Sequence, residues 1–111
     1  MRAEALKGHL DAMLLAVLER GPLHGYAVID ALRAGSGGRF DLPAGTIYPA
    51  LHRLERAGLV KSTWSVVSGR RRRSYQLTST GKRALADERD TWREFVTGVS
   101  SLLEKPCPAT L

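Results

Sequence analysis

Thr46, Tyr48, His52, Arg53 and Arg56 fall within one short stretch; each carries a hydrogen-bonding group, and two are permanent cations. Groups of this kind suit the base edges and phosphate oxygens of a nucleic acid. An arginine fork grips guanine in a bidentate way, worth about 1–3 kcal/mol of discrimination. Phosphates also accept hydrogen bonds from such side chains, and both kinds of contact are open to these five. On a helical wheel, Ile47, Ala50, Leu51, Leu54 and Gly58 share the opposite side, at the spacing of a helix lying on a core. Alone, that pattern reads first as a solvated amphipathic helix, and Arg53, on the flank, equally suits a salt bridge within the domain. The run Arg70-Arg71-Arg72-Arg73 tips the balance. Four adjacent like charges are tolerated only in solvent or against an anion.

Other chemistries find little support. His9, His24 and His52 fall in different segments, without the i, i+4 pairing or carboxylate partners of a metal site. Nothing places a serine, a histidine and an aspartate together as a nucleophilic triad. The glycine-rich Ala34–Arg39 lacks the Lys-Ser/Thr ending of a nucleotide-binding loop and reads as a flexible connector. Cys107 is the sole cysteine, so the chain has neither an internal disulfide nor a cysteine-based metal site. No catalytic residue, metal or cofactor is expected. The formal net charge of +6 points to a polyanion, either nucleic acid or a membrane surface. No apolar run approaches the roughly 18 residues needed to span a bilayer, and the N-terminus lacks the apolar core of a secretory signal. A cytoplasmic protein is expected.

The elements that must position these residues make a mainly α chain with a small β-hairpin. Leu6, Leu10, Met13, Leu14, Val17 and Leu18 repeat at three and four, predicting a helix over about 4–20 that Gly21-Pro22 ends. A second helix, about 24–33, buries Tyr26, Ile29 and Leu32. The third covers about 43–57. Pro49 conflicts with its interior unless regular bonding starts near Thr46 as N-cap, or Pro43 begins a looser turn upstream. Residues 59–77 make a hairpin: the β-branched and aromatic Leu59–Val67 reads as one strand, Ser68-Gly69 as a turn signal and Ser74–Leu77 as the returning strand, with the arginine run between them as a cationic tip. Thr78 or Thr80 caps a final helix over about 79–104, roughly 39 Å long at 1.5 Å per residue. Along it Leu85, Trp92 and Val99 repeat at seven, as do Val96 and Leu103, and Phe95 and Leu102. That repeat suits another long helix, and a second copy of the chain supplies one. Residues 1–78 thus form one unit, 79–104 a dimerisation helix and 105–111 a disordered tail.

Helix, helix, turn, basic helix and hairpin is the order of a winged helix-turn-helix, and here the residues resemble the PadR-type transcriptional regulators. Lys7-Gly-His-Leu-Asp11 with Leu14 and Leu18, then Gly21-Pro-Leu-His-Gly-Tyr26, resembles that family's first two helices. Gly45–Leu59 resembles its third helix almost position for position. Gly69-Arg70, Arg72-Arg73, Tyr75 and Leu77-Thr78, with Gly81, resemble its wing and the entry to its last helix. The likeness covers about residues 6–104, in the compact subgroup with a single C-terminal helix. Arg71 departs from it, standing where the family often has proline, and Ser74 stands where an aromatic is common.

The resemblance implies a homodimeric repressor whose third helices enter successive major grooves of a palindromic operator in double-stranded DNA. The wings would approach the flanking backbone or minor groove. The last helix would pair with the partner's last and first helices, adding Leu6 and Leu10 to the interface. In drug-sensing members a tryptophan on the last helix stacks on flat ligands at the dimer interface. Trp92 is similarly placed, either to bind a small aromatic effector or to serve as interface core. The competing function is a basic winged-helix module that contacts protein or RNA without operator specificity.

Overall fold

Leucine spacing and two prolines decide where the helices of this computed structural model begin and end; it describes Leu6 and residues 8–104. Helix α1 spans Leu10–Val17; of the expected 4–20, Leu6 is helical, residues 8–9 and 18–20 turn, and residues 4, 5 and 7 lie outside the described residues. Strand β1 is Leu23–His24 and α2 is Gly25–Gly35, with the His24 side chain capping it by accepting from the Ala27 amide. Helix α3 spans Ala44–Arg56. Strands β2, Val60–Val67, and β3, Arg70–Leu77, form the hairpin, and α4 spans Ser79–Leu103. The expected disordered tail, with Cys107, lies outside the described residues.

The core is built from one stripe of each helix. Leu14, Leu15 and Leu18 from the first segment meet Val28 and Leu32 of α2, and Ile47, Ala50, Leu51 and Leu54 of α3 close over them. Val60, Tyr75 and Leu77 of the hairpin and Leu85 of α4 complete it. The expected burial of Tyr26 is wrong: α2 begins at Gly25 and turns Val28 and Leu32 inward. Tyr26 precedes Val28 by two residues and so faces the opposite side of the helix. It is 66% exposed.

Helix α3 also begins earlier than Thr46. Pro43 is its N-cap, with the Thr46 and Ile47 amides bonding to the Pro43 carbonyl, and Pro49 lies inside the helix. The missing proline donor leaves the Gly45 carbonyl without its i+4 partner, and Gly45 is exposed to water that can replace it. The far end closes with paired bonds, Gly58 N–H to Glu55 and Leu59 N–H to Leu54, each 3.0 Å, the pattern of a helix end sealed by a left-handed glycine.

The sheet has three antiparallel strands in the order β1-β3-β2. Ser68 has a φ of 53° and Gly69 a φ of 77°. Two consecutive positive values make a two-residue turn of the I′ kind, which matches strand twist. Val67 therefore pairs with Arg70, and the register runs back to Val60 opposite Leu77. The four arginines are thus residues of β3, and do not form a loop beyond the strands. Thr78 caps α4 by accepting from the Gly81 amide, and its hydroxyl donates to the Gly58 carbonyl (2.6 Å). A side chain at Gly81 would collide with the Leu59 carbonyl, so the helix leaves the sheet at close range.

Candidate nucleic-acid interface

Burying Ile47, Ala50, Leu51 and Leu54 forces the remaining face of α3 into water. Thr46, His52, Arg53 and Arg56 are exposed there, with Tyr48 half-buried at the edge. Arg53 is ion-paired with Asp11 of α1, so part of its charge is answered within the domain. Arg56 has no ion-pair partner among the described residues.

Tyr48 turns back across the start of α2. Its ring occupies the space a β-carbon at residue 25 would need, which explains glycine at that position. Tyr26 meets it edge to face, with ring centroids 6.3 Å apart, an arrangement that sets the positive edge of one ring against the negative face of the other. Burial, with a smaller push from Tyr26, raises the Tyr48 hydroxyl above the usual tyrosine range, so it stays a neutral donor at physiological pH.

On the wing, alternation splits the arginines. Arg71 and Arg73 share the face of Tyr75, and Arg70 and Arg72 take the other. Arg73 is not a free cation. It donates to Glu55 of α3 (2.9 Å) and to the Ser62 hydroxyl (2.8 Å), and Ser62 in turn donates to Glu55. The Ser62 hydrogen bond, then the Arg73 charge, hold the Glu55 carboxyl below the usual carboxylate range, since both favour its ionised form. Arg72 reaches the His24 ring at 3.2 Å, and the His52 ring lies 3.5 Å from the Tyr75 hydroxyl. The Arg71 guanidinium lies over the Trp64 ring, 4.7 Å from its centroid.

Between α3, the start of α2 and the wing lies an open cleft of about 670 Å³. Tyr48, His52 and all four wing arginines open onto it, joined by His24 and Tyr26 and by Trp64 and Tyr75, and sequence reasoning gave these last two no part in the site. Thr46, Arg53 and Arg56 do not line it. The signal for Trp64 was present: a two-residue turn at Ser68-Gly69 sets Trp64 opposite Arg73.

A second feature lies along α4. Leu85, expected at the interface, is 3% exposed and belongs to the chain's own core. Leu6 is also buried, and Leu10 packs partly against the core. Val99 is intermediate, while Trp92, Phe95, Val96, Leu102 and Leu103 are open to solvent. His9, Trp92 and Phe95 cluster, with the His9 and Trp92 centroids 5.3 Å apart edge to face. They border an apolar groove of about 590 Å³ between α1 and α4. Arg89 grips Glu19 with both guanidinium nitrogens, at 2.6 and 2.9 Å, tying the rod to the end of α1. That hydrogen bond holds the Glu19 carboxyl below its usual range. Among the described residues no cluster of histidine, cysteine or carboxylate groups could hold a metal, and no helix is long and apolar enough to cross a membrane.

Residues 14–87 match the profile of the Transcriptional regulator PadR-like family. Over 55 residues the chain is 47% identical to the transcriptional regulator Rv3488 of Mycobacterium tuberculosis, covering 50% of this chain and 51% of that one. The crystal structure of a PadR family transcriptional regulator from Eggerthella lenta aligns with a TM-score of 0.79 at 34% identity, over 92% of this chain and 88% of that one. Bacillus subtilis PadR in complex with operator DNA has the same fold, with a TM-score of 0.67 and 24% identity over 94% of this chain and 52% of that one.

Proposed function

The chain belongs to the PadR-like family of transcriptional regulators, not to a family of enzymes, and from that premise we propose that it is a homodimeric repressor of a palindromic operator. As a protein of the same fold does in Bacillus subtilis, it binds operator DNA. The observation that carries this reading is that Tyr48 and His52 of α3 open onto the same cleft as the four wing arginines.

Helix α3 enters the major groove, with Thr46, His52 and Arg56 reaching base edges or phosphates. Arg53 joins them by exchanging Asp11 for a phosphate. Tyr48 donates from the cleft, and Arg70, Arg71 and Arg72 meet the flanking backbone. Each neutralised phosphate steepens the salt dependence by about 0.9 in logarithmic slope. Arg73 serves from within, fixing the wing to α3.

The apolar face of α4 pairs with that of a second copy, which covers Trp92, Phe95, Val96, Leu102 and Leu103. Pairing sets two reading helices about one duplex turn apart, roughly 34 Å. The groove beside Trp92 has a volume within the range of ligand pockets, about 300–1,000 Å³. A flat aromatic effector stacking on Trp92 relieves repression by changing the angle between the two rods.

Mobility shifts with the upstream region of the chain's own gene, a mixed-sequence duplex and a structured RNA test the reading. Preference for the upstream region is the expected result. Equal affinity for all three would instead favour a basic module without operator specificity.

A further inference from the structure

Trp64 has no part in the core or in any contact described for the last helix. It is 58% exposed on β2, although tryptophan is on average highly buried. What it touches is charge. The Arg71 guanidinium lies over its ring, 4.7 Å from the centroid, and that of Arg73 lies 5.8 Å away. Arg73 also faces the Tyr75 ring at 5.7 Å. Cations and rings therefore alternate along the inner face of the wing.

The two arginines differ in what remains free. Arg73 spends its fork on Glu55 and Ser62. Arg71 has no carboxylate partner among the described residues. Stacking engages the flat face of a guanidinium and leaves the in-plane N–H groups available. Unlike a carboxylate, the indole restrains the side chain without cancelling its charge. An arginine ordered beforehand loses less freedom when it binds. The rigid two-residue turn at Ser68-Gly69 and the pairing of Arg71 with Val66 hold the backbone beneath the stack.

The geometry points to Trp64 as a positioning residue for DNA, holding the Arg71 guanidinium flat so that its edge meets a phosphate oxygen of the duplex. This inference rests on the DNA-binding reading above and adds to it a role for the indole.

The test is a salt series with a short mixed-sequence duplex, using the full chain and the variants Trp64→Ala, Trp64→Phe, Arg71→Ala and the double variant of Trp64→Ala with Arg71→Ala. Trp64→Ala weakens binding by about threefold to tenfold and leaves the salt slope unchanged, because no charge is removed. Trp64→Phe restores most of the loss, since a phenyl face still holds a guanidinium. Arg71→Ala lowers the slope by about 0.9, and adding Trp64→Ala to it costs nothing more. Binding by Trp64→Ala as tight as the native chain's, or an equal Trp64→Ala penalty with and without Arg71, overturns the proposal alone. A native chain that binds no duplex at low salt overturns the DNA-binding reading as well. The stack itself is read without DNA in a Trp92→Phe background, where Trp64 is the sole tryptophan. There Arg71→Ala must weaken the near-ultraviolet circular dichroism of the indole, and an unchanged band removes the stack.

Discussion

The Arg73 guanidinium donates to the Glu55 carboxylate at 2.9 Å, so one of the four wing arginines is spent on fastening the wing to α3. This divides the arginine run by task. Arg70→Ala or Arg72→Ala should each lower the salt slope of DNA binding by about 0.9. Arg73→Gln should leave the slope nearly unchanged while weakening operator preference, because the wing loses its fixed angle. Fluorescence anisotropy across a salt series separates the two outcomes. Three equal slope losses would place Arg73 on the phosphates.

The same pair gives a pH dependence. The Glu55 carboxyl is held below the usual range in the folded chain, by Ser62 first and then by Arg73. Its contribution is therefore present above the unfolded carboxylate value, about 4.3, and is lost as pH falls through the lower folded value. Glu55→Gln should flatten the acid limb of the thermal stability profile below about pH 4.5 and leave neutral stability within about 1 kcal/mol, given how open the pair is. Calorimetry over that pH range is the check, and an unchanged acid limb would exclude the coupling.

Neighbours on opposite faces of α3 should respond in opposite ways. Leu51 is fully buried, and Leu51→Ala should cost about 2–5 kcal/mol of stability. His52→Ala, on the exposed face, should shift stability by no more than about 0.5 kcal/mol while weakening DNA binding. Denaturant melts alongside binding titrations decide it.

Gly25→Ala should displace the Tyr48 ring from the start of α2. Overpacking of this kind typically costs about 1–3 kcal/mol. Operator binding should fall by more than the lost folded fraction explains, because Tyr48 borders the cleft. A variant that binds normally would remove Tyr48 from the interface.

These particulars also show what a sequence can and cannot reveal. The register of α3 was legible because Ile47, Ala50, Leu51 and Leu54 mark a single stripe. The turn at Ser68-Gly69 was legible, but the hairpin register was not: the arginine run reads as a charged tip between strands, whereas two consecutive positive-φ residues put Arg70–Arg73 in β3 itself. Strand β1 was not, since two residues carry no period and its pairing with Ser74 and Tyr75 is set across the fold. Tyr26 was misread because Tyr26, Ile29 and Leu32 also make a helical stripe, whereas the fold turns Val28 and Leu32 inward and so the phenol outward. Leu85 shares a seven-residue spacing with Trp92, yet it lies where α4 still crosses the core. The commitment of Arg73 to Glu55 depends on the angle between wing and helix, which local spacing does not encode.

For the effector site, adding flat aromatic compounds should quench tryptophan emission in the native chain and not in Trp92→Ala. A quench that survives this substitution would assign the signal to Trp64 and remove Trp92 from ligand binding.

In the proposed dimer, two copies joined along α4 present two α3 helices to one operator. Sedimentation of the chain with its operator duplex measures this directly. Two chains per duplex are expected, and a charge introduced by Phe95→Glu in the exposed α4 face should split both the free dimer and the complex. A single chain per duplex, or a native chain that stays monomeric while binding with operator preference, would contradict it.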